Sequence, residues 1–170
     1  MKRITRENLT KTAEQLLRLA KQYSQNEYHR EMRLDALLRG YLEAKFGRIR
    51  RQHQIEIGKS NRPKRIDFRQ GGSRPVLIEF AVRTPGKNQI YGSQNKSELL
   101  KLERQKNSKA SARYLLLLDL SGKSAIGKTE LQETYDAQPS GRGKYARHPV
   151  WVMYAHPDTC YAFKWHPRKT

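Results

Sequence analysis

The chain has one cysteine, Cys160, in 170 residues, so it has no internal disulfide framework and suits a reducing compartment. Acidic residues are also scarce: 16 Asp+Glu against 35 Lys+Arg give a formal net charge of +19. No apolar run is long enough to span a bilayer, and the longest, Pro75–Val82 and Tyr114–Leu118, have the length of strands. The N-terminus, MKRITRENLTK, is basic but lacks the apolar core of a secretion signal, so a cytoplasmic protein is expected. Internal repeats and long Pro/Gly/Ser-rich linkers are missing as well. Residues 1–170 therefore read as one domain, with an N-terminal helical segment over 1–47 and a sheet core over 48–170.

What the chain has in excess is positive charge. A surplus of 19 opposes compaction and favours a polyanionic partner. Nucleic acid is the expected one, DNA ahead of RNA, because phosphate contacts draw on Lys and Arg. A membrane surface fits less well, since the basic residues are spread along the chain and no lipidation signal accompanies them. The oligomeric state is left open, a homodimer included.

Apolar periodicity predicts helices over Thr5–Tyr23, carried by Leu9, Ala13, Leu16, Leu17 and Ala20, and over Glu27–Phe46, stopped by Gly47. The period then becomes alternating. Gln52–Ile57, Lys64–Gln70 and Pro75–Arg83 read as strands with turns at Gly58–Pro63 and Gly71–Pro75. Asn95, with Glu98 three residues on, reads as a capping box opening a helix to about Lys106. Arg113–Leu120 reads as a central strand and Thr129–Tyr135 as a short helix. Asp136–Arg147 is polar and basic, and Pro149–Ala155 with Cys160–His166 form a terminal hairpin. The expected class is α/β: a mixed central sheet flanked by helices, with a C-terminal β-hairpin.

Two acids stand out in this basic chain. Glu79 is the only polar side chain in PVLIEFAV, and a lone carboxylate in a buried strand is costly unless it is paired or binds a metal. Asp67 sits between apolar neighbours in the preceding strand. If Gly71–Pro75 is a five-residue hairpin loop, Gln70 pairs with Val76, and Asp67 then lies across from Glu79 on one face. Two like charges there are relieved by a divalent cation held by oxygen ligands, which suggests metal-assisted phosphodiester hydrolysis. Alternatively each acid pairs with a nearby arginine (Arg65, Arg69 or Arg83), or another register separates them.

The order helix, hairpin with Asp, strand with Glu, helix, buried strand resembles the PD-(D/E)XK nuclease superfamily, the restriction-endonuclease-like fold, from about Glu27 to Leu120. Asp67 matches the first acid and Glu79-Phe80-Ala81 the (D/E)-X-K segment. The resemblance implies Mg²⁺- or Mn²⁺-dependent endo- or exonucleolytic cleavage of DNA or RNA by a metal-activated water. The motif lysine is Ala81 here, and Arg65 or Arg83 would supply the cation. Neither can readily act as a base, so the substitution bears on turnover more than on fold. A non-catalytic nucleic-acid-binding module on the same fold is the alternative. Family members often add a helix-borne acid, and Glu31, on the stripe of Leu34, Leu38 and Leu42, is the candidate third ligand. Gln89 and Gln94 are candidates for orienting substrate or water.

The residues expected to hold phosphates are Lys64, Arg69 and Lys87 near the acids, Lys123 and Lys128 in a glycine-containing loop, and Arg142 and Lys144 in the basic stretch. That loop, GKSAIGKT over Gly122–Thr129, satisfies the P-loop pattern and follows an apolar strand. Too little chain follows it for the usual nucleotide-binding sheet. His156 and Cys160 have a weak zinc-like spacing. The aromatic residues of the terminal hairpin, Trp151 among them, divide between stacking bases and packing the core.

Overall fold

The computed structural model describes residues 3–24, 31–55, 64–85, 93–103, 110–135 and 150–165. Helix α1 (Arg6–Ser24) opens with a reciprocal cap. Thr5 N–H donates to Asn8 Oδ1 at 2.7 Å, and Asn8 N–H donates back to Thr5 Oγ1 at 3.3 Å. The cap satisfies donors that a helix start leaves open, and Ile4 and Leu9, buried together on either side of it, fix the entry of the chain. Helix α2 (Glu31–Phe46) stops at Gly47, whose φ of 82° is a left-handed geometry that glycine adopts without a Cβ clash.

The remaining elements are β1 (Ile49–Ile55), β2 (Lys64–Gln70), β3 (Val76–Arg83), α3 (Ser93–Glu103), β4 (Ala112–Asp119), α4 (Lys128–Thr134), β5 (Val150–His156) and β6 (Thr159–Trp165). The strands make one mixed sheet in sequence order, β1-β2-β3-β4-β5-β6. Strands β1, β2 and β3 form an antiparallel meander, β3, β4 and β5 run parallel, and β6 returns antiparallel to β5. This is the expected α/β class with a mixed sheet and a terminal hairpin.

Each face of the sheet has its own core. Leu9, Ala13, Leu16 and Leu17 of α1 and Leu38, Leu42 and Phe46 of α2 pack on Ile78, Leu116, Leu118, Met153 and Ala155. On the other face Leu99 and Leu102 of α3 and Leu131 of α4 pack on Leu77, Ala81, Leu115, Leu117, Val152 and Tyr154. The central strands β3 and β4 are therefore covered on both sides, which is why their sequences are apolar runs and not alternations.

Several boundaries differ from expectation. Strand β1 begins at Ile49, not Gln52: Ile49 is buried and pairs with Gln70, a role concealed by the arginines around it. Helix α3 begins at Ser93, so Asn95 is inside it and is no cap. Its amide is buried and donates to the Tyr135 hydroxyl at 3.3 Å. Helix α4 starts at Lys128 and ends at Thr134.

One buried side chain joins both helices of the first core to the sheet. Gln70 Oε1 accepts from Ile4 N–H at 3.0 Å, and Gln70 Nε2 donates to the Phe46 carbonyl at 2.8 Å. Gln70→Leu keeps the volume but strands both backbone groups. It should lower stability by about 2 kcal/mol or more in urea unfolding; unchanged stability would contradict this role.

Candidate metal and phosphate site

The register of β2 on β3 is Gln70–Val76, Arg69–Leu77 and Phe68–Ile78. The next step sets Asp67 opposite Glu79. There the ladder gives way, and Asp67 Oδ2 accepts the Phe80 N–H at 2.9 Å in place of a strand carbonyl. Pairing of β1 with β2 also skips Asp67, resuming at His53–Ile66 after Arg51–Phe68. Ile66 and Phe68, two residues apart, join opposite cores, although simple alternation would put them on one face. Strand β2 is thus turned at Asp67, whose carboxylate comes within hydrogen-bonding reach of Glu79.

Glu79 itself is 1% exposed, in the middle of β3 and beside Leu115 of β4. Its cationic neighbour comes from helix α3. Lys101 Nζ lies 2.5 Å from Glu79 Oε1, contacts Glu98 Oε2 one turn back on its own helix, and donates to the Arg65 carbonyl at 2.7 Å. The contacts to the two carboxylates are ion pairs without hydrogen-bond alignment. Burial is the main influence on Glu79 and the charge of Asp67 adds to it; against the opposing ammonium of Lys101 they push Glu79 up to about 10. Burial pulls Lys101 down, but Glu79 and Glu98 outweigh it and raise it above its usual value.

Lys101 is the residue that sequence reasoning missed. It stands 22 residues beyond Glu79, on another element. Its signal was faint: a lysine between the buried Leu99 and Leu102, three residues after an acid.

The arginines expected in that role are placed elsewhere. Arg83 Nη1 pairs with Asp119 Oδ2 at 2.9 Å in a buried bridge, and Tyr154 OH donates to the same oxygen at 2.7 Å. Arg65 is exposed and meets Lys101 through its carbonyl, beyond the point where the β2–β3 ladder ends. Glu31 is the first residue of α2, and its side chain lies outside the described residues.

Among the residues expected to hold phosphates, Arg69 lies on the acid-bearing face, opposite Arg50 of β1. Its guanidinium donates to the Gly72 carbonyl at 3.0 Å, and burial, then the charge of Arg50, lower its pKa. Lys123 and Lys128 are exposed. The side chain of Lys64, that of Gln94, and Lys87, Gln89, Arg142 and Lys144 lie outside the described residues.

The competing signals have structural roles. In Gly122–Thr129 the Ile126 N–H donates to Tyr154 OH and the Ile126 carbonyl accepts from Tyr161 OH, so this part of the loop is pinned to the sheet. His156 uses both ring nitrogens, Nε2 with the Lys123 carbonyl and Nδ1 with the Asp158 N–H. Burial, then the charge of Glu14, push the Cys160 thiol up to about 11, the wrong direction for a zinc thiolate. Both border a cavity of about 380 Å³ between α1 and the β5–β6 turn. In the hairpin Tyr154, Phe163 and Trp165 are core residues, while the half-buried Trp151 lies under Arg6 and Lys164.

Asp67 and Glu79 offer only oxygen donors, and the buried Glu79 Oε1 has no aligned hydrogen bond, so the pair suits Mg²⁺ or Mn²⁺. Among the described residues no group of three or more potential ligands is assembled. Water and substrate oxygens would complete the shell, as is usual for Mg²⁺. No helix among the described residues is long and apolar enough to cross a membrane. Comparison of the chain with family models, curated proteins and solved structures returned no match.

The raised Glu79 makes stability fall with pH. The folded protein keeps a proton that the unfolded chain releases, so this contribution is full below about 4.5 and is lost as pH rises towards about 10. Glu79→Gln removes the titration. In chelator-treated buffer it should melt at least ~2 °C above the wild type at pH 8, with the gap closing at pH 5. A gap independent of pH would contradict the assignment.

Proposed function

We propose that the protein is a metal-dependent nuclease that hydrolyses phosphodiester bonds, in DNA before RNA, with the restriction-endonuclease-like arrangement that its sequence resembles. The observation that carries this reading is the meeting of Asp67, Glu79 and Lys101 at one point of a chain whose formal net charge is +19. A polyanion binder has no electrostatic reason to gather carboxylates on a covered strand unless they hold a cation.

Asp67 and Glu79 would hold Mg²⁺ or Mn²⁺, which supplies an activated water and charge stabilisation at the phosphate. Asp67 is held by the Phe80 amide, and Glu79 is fixed by its place in β3, so both oxygens are set before substrate arrives. Lys101 brings an ammonium to the same place and takes over the part for which Arg65 and Arg83 were candidates. There it can neutralise charge developing on the phosphate and give a proton to a leaving oxygen, which arginine does poorly.

The cationic side of the site is strained in a way a phosphate relieves. Arg50 and Arg69 face each other directly across β1 and β2, on the face that carries the acids, and like charges so placed repel. A backbone phosphate between them turns the repulsion into two attractions and brings the strand to the acids.

The decisive experiment is cleavage of plasmid, single-stranded and branched DNA, and of RNA, with Mg²⁺ or Mn²⁺. Asp67→Asn and Glu79→Gln should abolish cleavage while leaving salt-dependent binding within about threefold. Lys101→Met should lower kcat by a factor of roughly 10²–10³. Equal cleavage by wild type and Glu79→Gln would refute the nuclease reading. Tight binding with no metal-dependent product from any substrate would favour the non-catalytic module.

A further inference from the structure

Lys101 and a divalent cation want the same oxygen. Among the described residues the ammonium touches three acceptors: Glu79 Oε1, Glu98 Oε2 and the Arg65 carbonyl. Of these only Glu79 belongs to the candidate metal pair. Two cations sharing one carboxylate oxygen repel strongly where little water screens them. The other two acceptors lie outside the metal pair, and Glu98 lies on Lys101's own helix, so the ammonium can be released by Glu79 and remain in place.

We propose that Lys101 is a built-in placeholder for the metal, seated on Glu79 until a divalent cation takes that oxygen, and that Glu98 is the positioning residue that keeps the displaced ammonium beside the reacting phosphate. This inference rests on the metal-dependent reading of Asp67 and Glu79. The lysine limits metal affinity before substrate arrives, and a phosphate that attracts the ammonium frees Glu79 for the metal. Metal and nucleic acid therefore bind cooperatively.

Mn²⁺ binding to the full chain without nucleic acid, followed by the electron paramagnetic resonance of free Mn²⁺, tests this directly. At 0.5 M KCl remote charges are largely screened. Lys101→Met should bind Mn²⁺ roughly tenfold tighter than wild type, a difference of about 1.4 kcal/mol. Lys96→Met, which removes an exposed lysine from the same helix, should leave binding unchanged. Glu98→Gln should weaken binding, and that effect should vanish in the Lys101→Met background, because Glu98 acts through the lysine. In cleavage assays Glu98→Gln should lower kcat with KM for nucleic acid unchanged, and Glu98→Asp should restore part of it.

Binding by Lys101→Met no tighter than wild type, or a Glu98→Gln effect that persists in Lys101→Met, would overturn the placeholder while leaving the metal site standing. Saturable Mn²⁺ binding that survives the Asp67→Asn/Glu79→Gln double substitution, or that wild type lacks altogether, would overturn the metal site and the placeholder together.

Discussion

A single carboxylate in a strand covered on both faces is the constraint around which this site is organised. β3 lies between β2 and β4, with α1 and α2 on one face and α3 on the other, so Glu79 has almost no water to solvate it. Helix α3 therefore has to carry a lysine where it crosses the strand. Strand β2 has to turn at Asp67, because a regular ladder would give the Phe80 amide a carbonyl partner and send the Asp67 side chain elsewhere. Each irregularity near Glu79 follows from the place of one charge.

Strand β3 carries a second buried ionic group, and the contrast is instructive. Arg83 faces Asp119, and the carboxylate also accepts from Tyr154 OH and the Ser121 N–H. Burial alone would raise Asp119, yet the hydrogen bonds from Ser121, Tyr154 and Arg83 prevail and hold it below the ordinary carboxylate range. Glu79, four residues before Arg83, is raised to about 10 because burial and then the charge of Asp67 outweigh the ammonium of Lys101. A carboxylate so completely bonded stabilises the ends of the parallel strands and has nothing left to offer. One left incompletely bonded keeps an oxygen for something else.

The same contrast explains what could be read in the sequence. The span of β2 and the Gln70–Val76 register follow from alternation and a five-residue turn, both local, and the prominence of Glu79 follows from the apolar run around it. Lys101 and Arg83 were out of reach for one reason. Their partners are fixed by how distant segments pack: the seat of α3 over β3, and the parallel register that sets Arg83 beside Asp119. Asn95 failed differently. Its type and spacing are those of a helix cap, but a hydroxyl on Tyr135 made a better partner than the helix end. Ile49 was hidden because its neighbours are arginines, which conceal the core position between them.

The place of α1 bears on how the molecule comes into being. Its apolar side rests on Met153 and Ala155 of β5, far along the chain from it, and its entry is tied to Gln70. Helix α1 thus has no complete seat until β5 has been synthesised. Until then its leucines stay uncovered, and closing so long a span of chain is a late, slow step of folding. In a chain this basic, a nascent helix with an open apolar side and a net positive charge is kept apart from its siblings by electrostatic repulsion during that wait.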